Sequence, residues 1–330
     1  MKKLALALAV ILLFSAAALA APKSYEWKLS HIRPQDSPID LDVKVFVKNV
    51  ADRSGGRIKI NIFGSSGLGD YQVVHERVGL GSVDMAVQSM GTQADQTMQI
   101  VNLCYLIKGW DEAKKYMSLN SPMMKWVAGR LEKQDIKLIG VWPVYFGGTA
   151  LSKEPTEPFN PSAKKNVKVR VPGSKIWELL AESQGYQATP LPFSEVFTSL
   201  QSGMVDGAIG AGAEGYYSNF RDVIKYYMPN NTHFELWFFI MNKELYDSLS
   251  PEDRKIIDEE ALAMENRRFV SGPEQQAMYE KKLEEYGIKL LRPTPEAIQK
   301  FADVSHEKVW PELRKLLGDK VFDEFVGFFK

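Results

Sequence analysis

Lys168-Val169-Arg170-Val171, stopped by Pro172-Gly173, opens the stretch that decides the fold; residues 168–215 read KVRVPGSKIWELLAESQGYQATPLPFSEVFTSLQSGMVDGAIGAGAEG. The first four residues are a β-branched run, and Ile176 to Ser183 carries apolar residues at helical spacing before Gly185 closes it. Ala188 to Leu191 reads as a second strand. Pro192 bars its extension, Ser194 can cap a helix with Val196, Phe197 and Leu200 on its apolar face, and Gly203 ends that helix before Met204 to Ile209 returns as a strand. Strand and helix alternating at this spacing predict an α/β fold with mostly parallel strands.

The same order recurs upstream. Tyr25 to Ser30 alternates as a strand, Leu41 to Asp52 is an amphipathic helix through Val43, Phe46, Val47 and Val50, and Arg57 to Phe63 alternates again. After the Gly64 to Gly69 loop and a helix from Asp70, Gly81-Ser82-Val83-Asp84-Met85-Ala86 parallels Gly203-Met204-Val205-Asp206-Gly207-Ala208. Two lobes of one architecture explain the repeat, each a mostly parallel sheet flanked by helices, with a ligand cleft beyond the carboxyl ends of the strands.

Between the lobes, Asp111 to Leu119 and Ser121 to Lys133 read as helices and Lys137 to Trp142 as a strand. The proline-rich run Pro143 to Pro161 suits a crossing into the second lobe, and a second crossing is placed near Asn231 to Phe239. Ser250 caps a long helix toward Glu285, spanning both lobes with a kink at Gly272-Pro273. Ile288 to Leu291 and two more helices finish the chain. The expected division is 21–146 with about 235–272 in the first lobe, and 147–234 with about 273–330 in the second.

Length and composition agree: 330 residues suffice for two cores, and 45% hydrophobic with 11% aromatic residues argues for a globular chain. Met1-Lys2-Lys3, the apolar run Leu4 to Leu19 and the small residues Ala18-Leu19-Ala20 form a secretory signal cleaved after Ala20, which predicts a periplasmic protein. With 41 basic against 41 acidic residues there is no basic field for nucleic acid. The single cysteine, Cys104, forms no internal disulfide and is expected to be a small buried hydrophobe.

Chemistry-bearing motifs are few. Gly210-Ala211-Gly212-Ala213-Glu214-Gly215 matches G-x-G-x-x-G, but its strand is the last of the unit and no clear helix is expected after it, so the glycines are read as close-approach points at a cleft rim. His31, His75, His233 and His306 are scattered without metal-ligand spacing, and Gly64-Ser65-Ser66-Gly67 is not a nucleophile elbow. Asp84 and Asp206 are read as hydrogen-bond partners where a helix passes into a strand. No metal, cofactor or catalytic set is predicted. Arg170 stands apart: a guanidinium at a strand end either pairs with an internal carboxylate or grips a ligand carboxylate with its planar fork. His31-Ile32-Arg33-Pro34 is a loop whose two cations either face the ligand or are solvated.

Lys168-Val169-Arg170-Val171-Pro172, Thr189-Pro190-Leu191-Pro192-Phe193-Ser194-Glu195-Val196 and Leu200-Gln201-Ser202-Gly203-Met204-Val205-Asp206-Gly207 resemble the solute-binding proteins of tripartite ATP-independent periplasmic (TRAP) transporters, of the C4-dicarboxylate-binding type. Gly55-Gly56-Arg57-Ile58, Leu68-Gly69, Gly81 to Met85 and Asn231-Thr232-His233 extend the likeness over nearly the whole mature chain. The resemblance implies a receptor that closes its lobes on an organic acid and hands it to sodium-driven membrane permease subunits. It implies that Arg170 clamps the substrate carboxylate and that Phe193 packs beneath the substrate. Sialate-type members carry a second arginine near Ala150 and an asparagine at Gly210; their absence here implies a roomier, less polar pocket. The expected ligand-binding set is Arg170, Phe193, His31, Arg33, Gln88, Tyr145, Gly210, Glu214, Tyr216 and Trp237, with Trp142 and Tyr217 as further aromatic walls. That set favours an aromatic or bulky apolar monocarboxylate. The alternatives are a small-dicarboxylate receptor, a periplasmic enzyme using the same cleft, and a receptor of an ABC-type transporter.

Overall fold

The computed structural model describes residues 23–329, so the expected signal segment and its cleavage point lie outside the described residues. Alternation sets β1 (Tyr25–Ser30), where Tyr25, Trp27 and Leu29 are buried and Glu26 and Lys28 face solvent. It lies between β2 (Ile58–Phe63) and β3 (Met85–Gln88), parallel to both. The first sheet is completed by β4 (Ile136–Phe146), and the second contains β5 (Gly148–Leu151), β6 (Lys168–Val171), β7 (Gln187–Pro190), β8 (Gly207–Ala211) and β9 (Tyr226–Met228). The chain then re-enters the first sheet as β10 (Phe234–Asn242) and ends its strands with β11 (Lys289–Leu290). Strand order is β2-β1-β3-β10-β4 in one sheet and β11-β9-β5-β8-β6-β7 in the other.

Each sheet holds one reversed strand, β10 in the first and β5 in the second. The reason is topological. A strand arriving from the other sheet enters at the cleft, where its neighbours end, and must run against them. The two crossings lie side by side: Gly147 N–H donates to His233 O at 2.8 Å, and Thr232 N–H donates to Gly147 O at 3.0 Å. The first crossing is therefore Gly147 alone and not the Pro143 to Pro161 run, because Pro143 lies inside β4. A Cβ on Gly147 would stand 2.2 Å from His233 Cε1, so the crossing has no room for a side chain.

The repeat predicted from sequence is present at the level of single hydrogen bonds. Asp84, just before β3, accepts from Lys28 N–H at 2.7 Å; Asp206, just before β8, accepts from Lys168 N–H at 3.2 Å. In both places a carboxylate extends the ladder by one rung into the neighbouring parallel strand.

The helix Pro251–Glu285 begins at Ser250, whose hydroxyl accepts from Asp253 N–H. It packs on β4 and on helix Pro38–Arg53 at one end, and on helix Ala213–Phe220 and β11 at the other, so it spans both sheets. The helix is continuous through Gly272-Pro273; a Cβ on Gly272 would enter the Trp110 ring. Arg268 fastens it to β4 through Pro143 O and Val144 O. Cys104 is buried, and burial pushes its thiol up to about 12.

Candidate functional site

At the carboxyl ends of the parallel strands a cavity is lined by Ile32 and Arg33 after β1, Tyr71, Ser89 and Met90 after β3, Asn102, Arg170 and Pro172 at the end of β6, Ser174, Trp177, Phe193, Gly210 on β8, and His233 and Glu235 at the start of β10. The free space for a water centre is about 20 Å³, so the lobes are closed on each other with room for one or two waters. Contacts across the cleft hold this state: Phe193 N–H donates to Asp70 Oδ2 at 3.3 Å, and Ile176 N–H to Gln99 Oε1 at 3.0 Å.

Arg170 is 3% exposed, and its Nε donates to Leu191 O at 2.8 Å. Among the described residues no carboxylate lies within 4.0 Å of it. Burial lowers the pKa of this guanidinium, opposed by Tyr71, Tyr216 and the more distant carboxylate of Asp70 and reinforced by the charge of Arg33. A cation held out of water without a directly paired carboxylate calls for an anion from outside the chain.

Arg33 is equally buried but is spoken for. Its Nε donates to Glu214 Oε2 at 3.1 Å, and Nη2 lies 3.5 Å from Glu235 Oε1. It is sandwiched by aromatic faces, 4.8 Å from the Phe193 centroid and 4.9 Å from that of Trp237. Arg170 lies 5.7 Å from the same Phe193 ring. Glu235 accepts from Trp237 Nε1 at 2.9 Å, and burial, reinforced by Glu214 and opposed by Arg33, pushes its carboxyl up to about 7. Burial drives His233 down to about 3, so its ring is neutral.

Of the predicted set, Arg170, Phe193, Arg33 and Gly210 line the cavity, while Glu214 and Trp237 stand behind it as partners of Arg33. The structure does not bring the other four to the lining. His31 is buried against Asp40, 3.2 Å away, and Gln88 donates to Tyr71 O. Tyr145 donates to Gln275 beneath Arg268, and the Tyr216 hydroxyl sits 2.9 Å from Ala208 O. Trp142 is spent on Asp42 and Tyr217 on Tyr279.

Two readings of the glycines need correction. A helix, Ala213–Phe220, does begin within the G-x-G-x-x-G run, but its first turn carries Glu214, committed to Arg33. Nor do the glycines widen the pocket. Gly210 has φ +107°, and a Cβ there would stand 2.6 Å from Pro172 Cγ; on Gly212 it would stand 2.7 Å from Phe146 O. Neighbouring atoms have moved into the space that side chains would have taken.

The sequence reading missed Tyr71, Asn102, Trp177, His233, Glu235 and, beside residues it named, Ile32, Ser89, Met90, Pro172 and Ser174. Tyr71 and Trp177 sit in first helical turns just past strand ends, which the cleft rule points to. Glu235 carried its own signal, a lone acid in the run Phe234 to Met241 that is otherwise apolar.

Residues 29–315 match the family model described as DctP, bacterial extracellular solute-binding protein, family 7. The C4-dicarboxylate-binding periplasmic protein of Rhodobacter capsulatus is 25% identical over 269 residues, covering 81% of this chain and 78% of that one. Among solved structures, the sugar acid binding protein of Advenella mimigardefordensis in complex with galactonate is similar with a TM-score of 0.86 at 19% identity, over 93% of this chain and 98% of that one. A TRAP periplasmic solute binding protein from Desulfovibrio salexigens with bound orotic acid gives 0.83 at 20% identity, over 93% and 100%. At such identities the structural likeness establishes the two-lobed fold. The family match goes further: the chain belongs to the DctP family of bacterial extracellular solute-binding proteins.

Proposed function

We propose that this chain is the periplasmic receptor of a TRAP transporter, and that it closes on an organic monocarboxylate with an aromatic or bulky apolar tail. The observation that carries the reading is Arg170, a buried guanidinium without a carboxylate partner among the described residues. Its free nitrogens are suited to a bidentate grip on a carboxylate. Tyr71, Trp177 and Phe193 supply three aromatic faces to the tail, each worth about 0.5–1.5 kcal/mol against a ring beyond area burial. Arg33, already answered by Glu214, offers no second charge clamp.

The first lobe is 21–146 with about 235–272 and the second 147–234 with about 273–330, hinged where Gly147 meets Thr232 and His233. The liganded receptor then docks on separate permease subunits; among the described residues no helix is long and apolar enough to cross a membrane itself. The small free space favours a second reading, a short acid or diacid, in the conformation described.

A thermal-shift panel that holds the carboxylate constant and varies the tail separates the two. Aromatic and branched acids are expected to raise the midpoint while succinate and malate leave it unmoved; stabilisation by the diacids alone overturns the apolar-tail reading. Saturation with a binding acid is also expected to lower the radius of gyration in small-angle scattering.

A further inference from the structure

We propose that the cavity has a second recognition pole, formed by Arg33, Glu235 and His233, which takes an uncharged hydrogen-bonding group such as a hydroxyl on the bound acid. The proposal rests on the carboxylate reading of Arg170 and extends it to the other end of the ligand.

Three buried polar atoms without a hydrogen-bond partner belong to residues lining the cavity: Arg33 Nη2, His233 Nε2 and Glu235 Oε2. Their side chains are not idle surface groups, since the residues are 1%, 2% and 5% exposed. A buried donor or acceptor left unpaired costs about 1–3 kcal/mol, and three on neighbouring lining residues form a set short of hydrogen bonds, although Arg33 Nη2 keeps its 3.5 Å ion pair with Glu235 Oε1. Two of them are two residues apart on the extended chain entering β10, which puts them on one face. The rest of each side chain is fixed. Arg33 is held by Glu214, Glu235 Oε1 by Trp237 Nε1, and His233 Nδ1 lies 2.9 Å from Thr232 Oγ1. The orphan atoms are therefore held in place and not free to turn away.

Charge decides what they take. A second carboxylate would bring its charge beside Glu214 and Glu235, which already share the guanidinium of Arg33 out of water. An ammonium would have to share Glu235 with Arg33. A hydroxyl leaves the charge balance unchanged and has both functions needed, an acceptor for Arg33 Nη2 and a donor for Glu235 Oε2. Arg33 and Arg170 both lie over the Phe193 ring, at 4.8 and 5.7 Å, so an acid reaching from one pole to the other crosses that ring.

The test is calorimetry on the mature protein with matched acids: benzoate and 4-hydroxybenzoate, phenylacetate and mandelate, 3-phenylpropanoate and 3-phenyllactate, with terephthalate as the diacid arm. In at least one pair the hydroxylated acid is expected to bind about tenfold tighter or more, and terephthalate more weakly than either benzoate. Glu235→Met should bring that ratio close to one, while Glu235→Gln, which keeps hydrogen-bonding capacity, should retain most of it. If every hydroxyl-free acid binds as tightly as its partner in the wild type, or if terephthalate binds best, the second pole is wrong and the Arg170 reading stands. If no acid of the panel binds at all, the aromatic-tail reading falls and takes this inference with it, while a short acid on Arg170 is left to the thermal-shift panel. The wild-type ratio decides the matter even where Glu235→Met does not fold.

Discussion

Arg33 and Arg170 are the same side chain in nearly the same surroundings. Both are buried, both follow or end a parallel strand at the cleft, and both lie over Phe193. They differ only in company: two carboxylates lie within 4.0 Å of Arg33, whereas the Nε of Arg170 donates to one backbone carbonyl. A buried charge that is matched inside the chain contributes to the fold, while one left unmatched costs stability and is retained for what it binds. Burial alone therefore does not mark a ligand clamp; the missing partner does.

The largest expected effect follows from that contrast. Arg170→Ala should weaken binding of any acid that wild type takes by about 3–5 kcal/mol, several hundredfold or more. Arg170→Lys should lose most of it too, because an ammonium cannot reproduce the planar fork. Neither change should lower the unliganded melting temperature much, since the unpaired charge was a cost. Calorimetry alongside a melting curve checks both halves, and an Arg170→Ala protein that still binds with wild-type affinity breaks the comparison.

Arg33→Met should show the opposite balance. It leaves Glu214 and Glu235 buried together without their cation, so the unliganded protein should lose about 3–5 kcal/mol of stability by urea denaturation. The double variant Arg33→Met with Glu214→Leu should recover part of that loss, because one buried anion leaves with the cation. Equal stability losses in Arg170→Ala and Arg33→Met would mean that both arginines are structural.

The two arginines also show how far sequence reading reaches. Strand-helix periodicity predicted the parallel strands β1 to β3 and β6 to β8, the duplicated lobes and the spanning helix, because burial patterns of period 2 and 3.6 are local, but not β5, β9 or β10, which fall in or beside the stretches read as crossings. Arg170 and Phe193 were legible through motif and strand-end position. What could not be read was pairing over long range: Arg33 meets Glu214, which is 181 residues away, and nothing in the loop His31 to Pro34 foretells it. His31 was lost for the same reason, since Asp40 reaches it only after the loop folds back. The glycines misled because an absent side chain signals space only when nothing else fills it, and at Gly210 Pro172 does.

Glu235 gives a smaller effect, on the order of a few kcal/mol, whose sign can be worked out. Its folded pKa of about 7 lies above the ordinary 4.5, so between those values the folded chain holds a proton that the unfolded chain has lost. Stability from this group is fully present below about 4.5 and is lost as pH rises through about 7. Glu265, also pushed up to about 7 by burial, acts in the same direction, whereas the four histidines, all lowered by burial, act in the opposite one below 6.5. The comparison that isolates Glu235 is therefore wild type against Glu235→Gln. The stability drop from pH 5 to pH 8, measured by urea denaturation, should shrink in the variant; an unchanged drop would place the Glu235 carboxyl in its ordinary range.

The smallest effect tests the lobes against each other. Asp84 and Asp206 each accept one strand N–H at equivalent places, from Lys28 and Lys168, and a hydrogen bond to a charged group contributes about 1.5–3 kcal/mol. If the lobes are repeats in energy as well as in topology, Asp84→Ala and Asp206→Ala should cost similar amounts. One difference stands between them: Asp206 also pairs with Lys153 at 2.9 Å, where the two side chains are 26% and 50% exposed, and no such cation is paired with Asp84 among the described residues. An exposed pair of this kind adds about 0–1 kcal/mol and is screened by salt. Asp206→Ala should therefore be slightly the costlier change in dilute buffer, and the two should converge near 1 M salt, where the screening length falls to about 3 Å. Lys153→Ala should remove the salt-dependent part alone. A gap that persists at high salt would mean that the rung before β3 and the rung before β8 differ in their hydrogen bonds and not in the charge beside them.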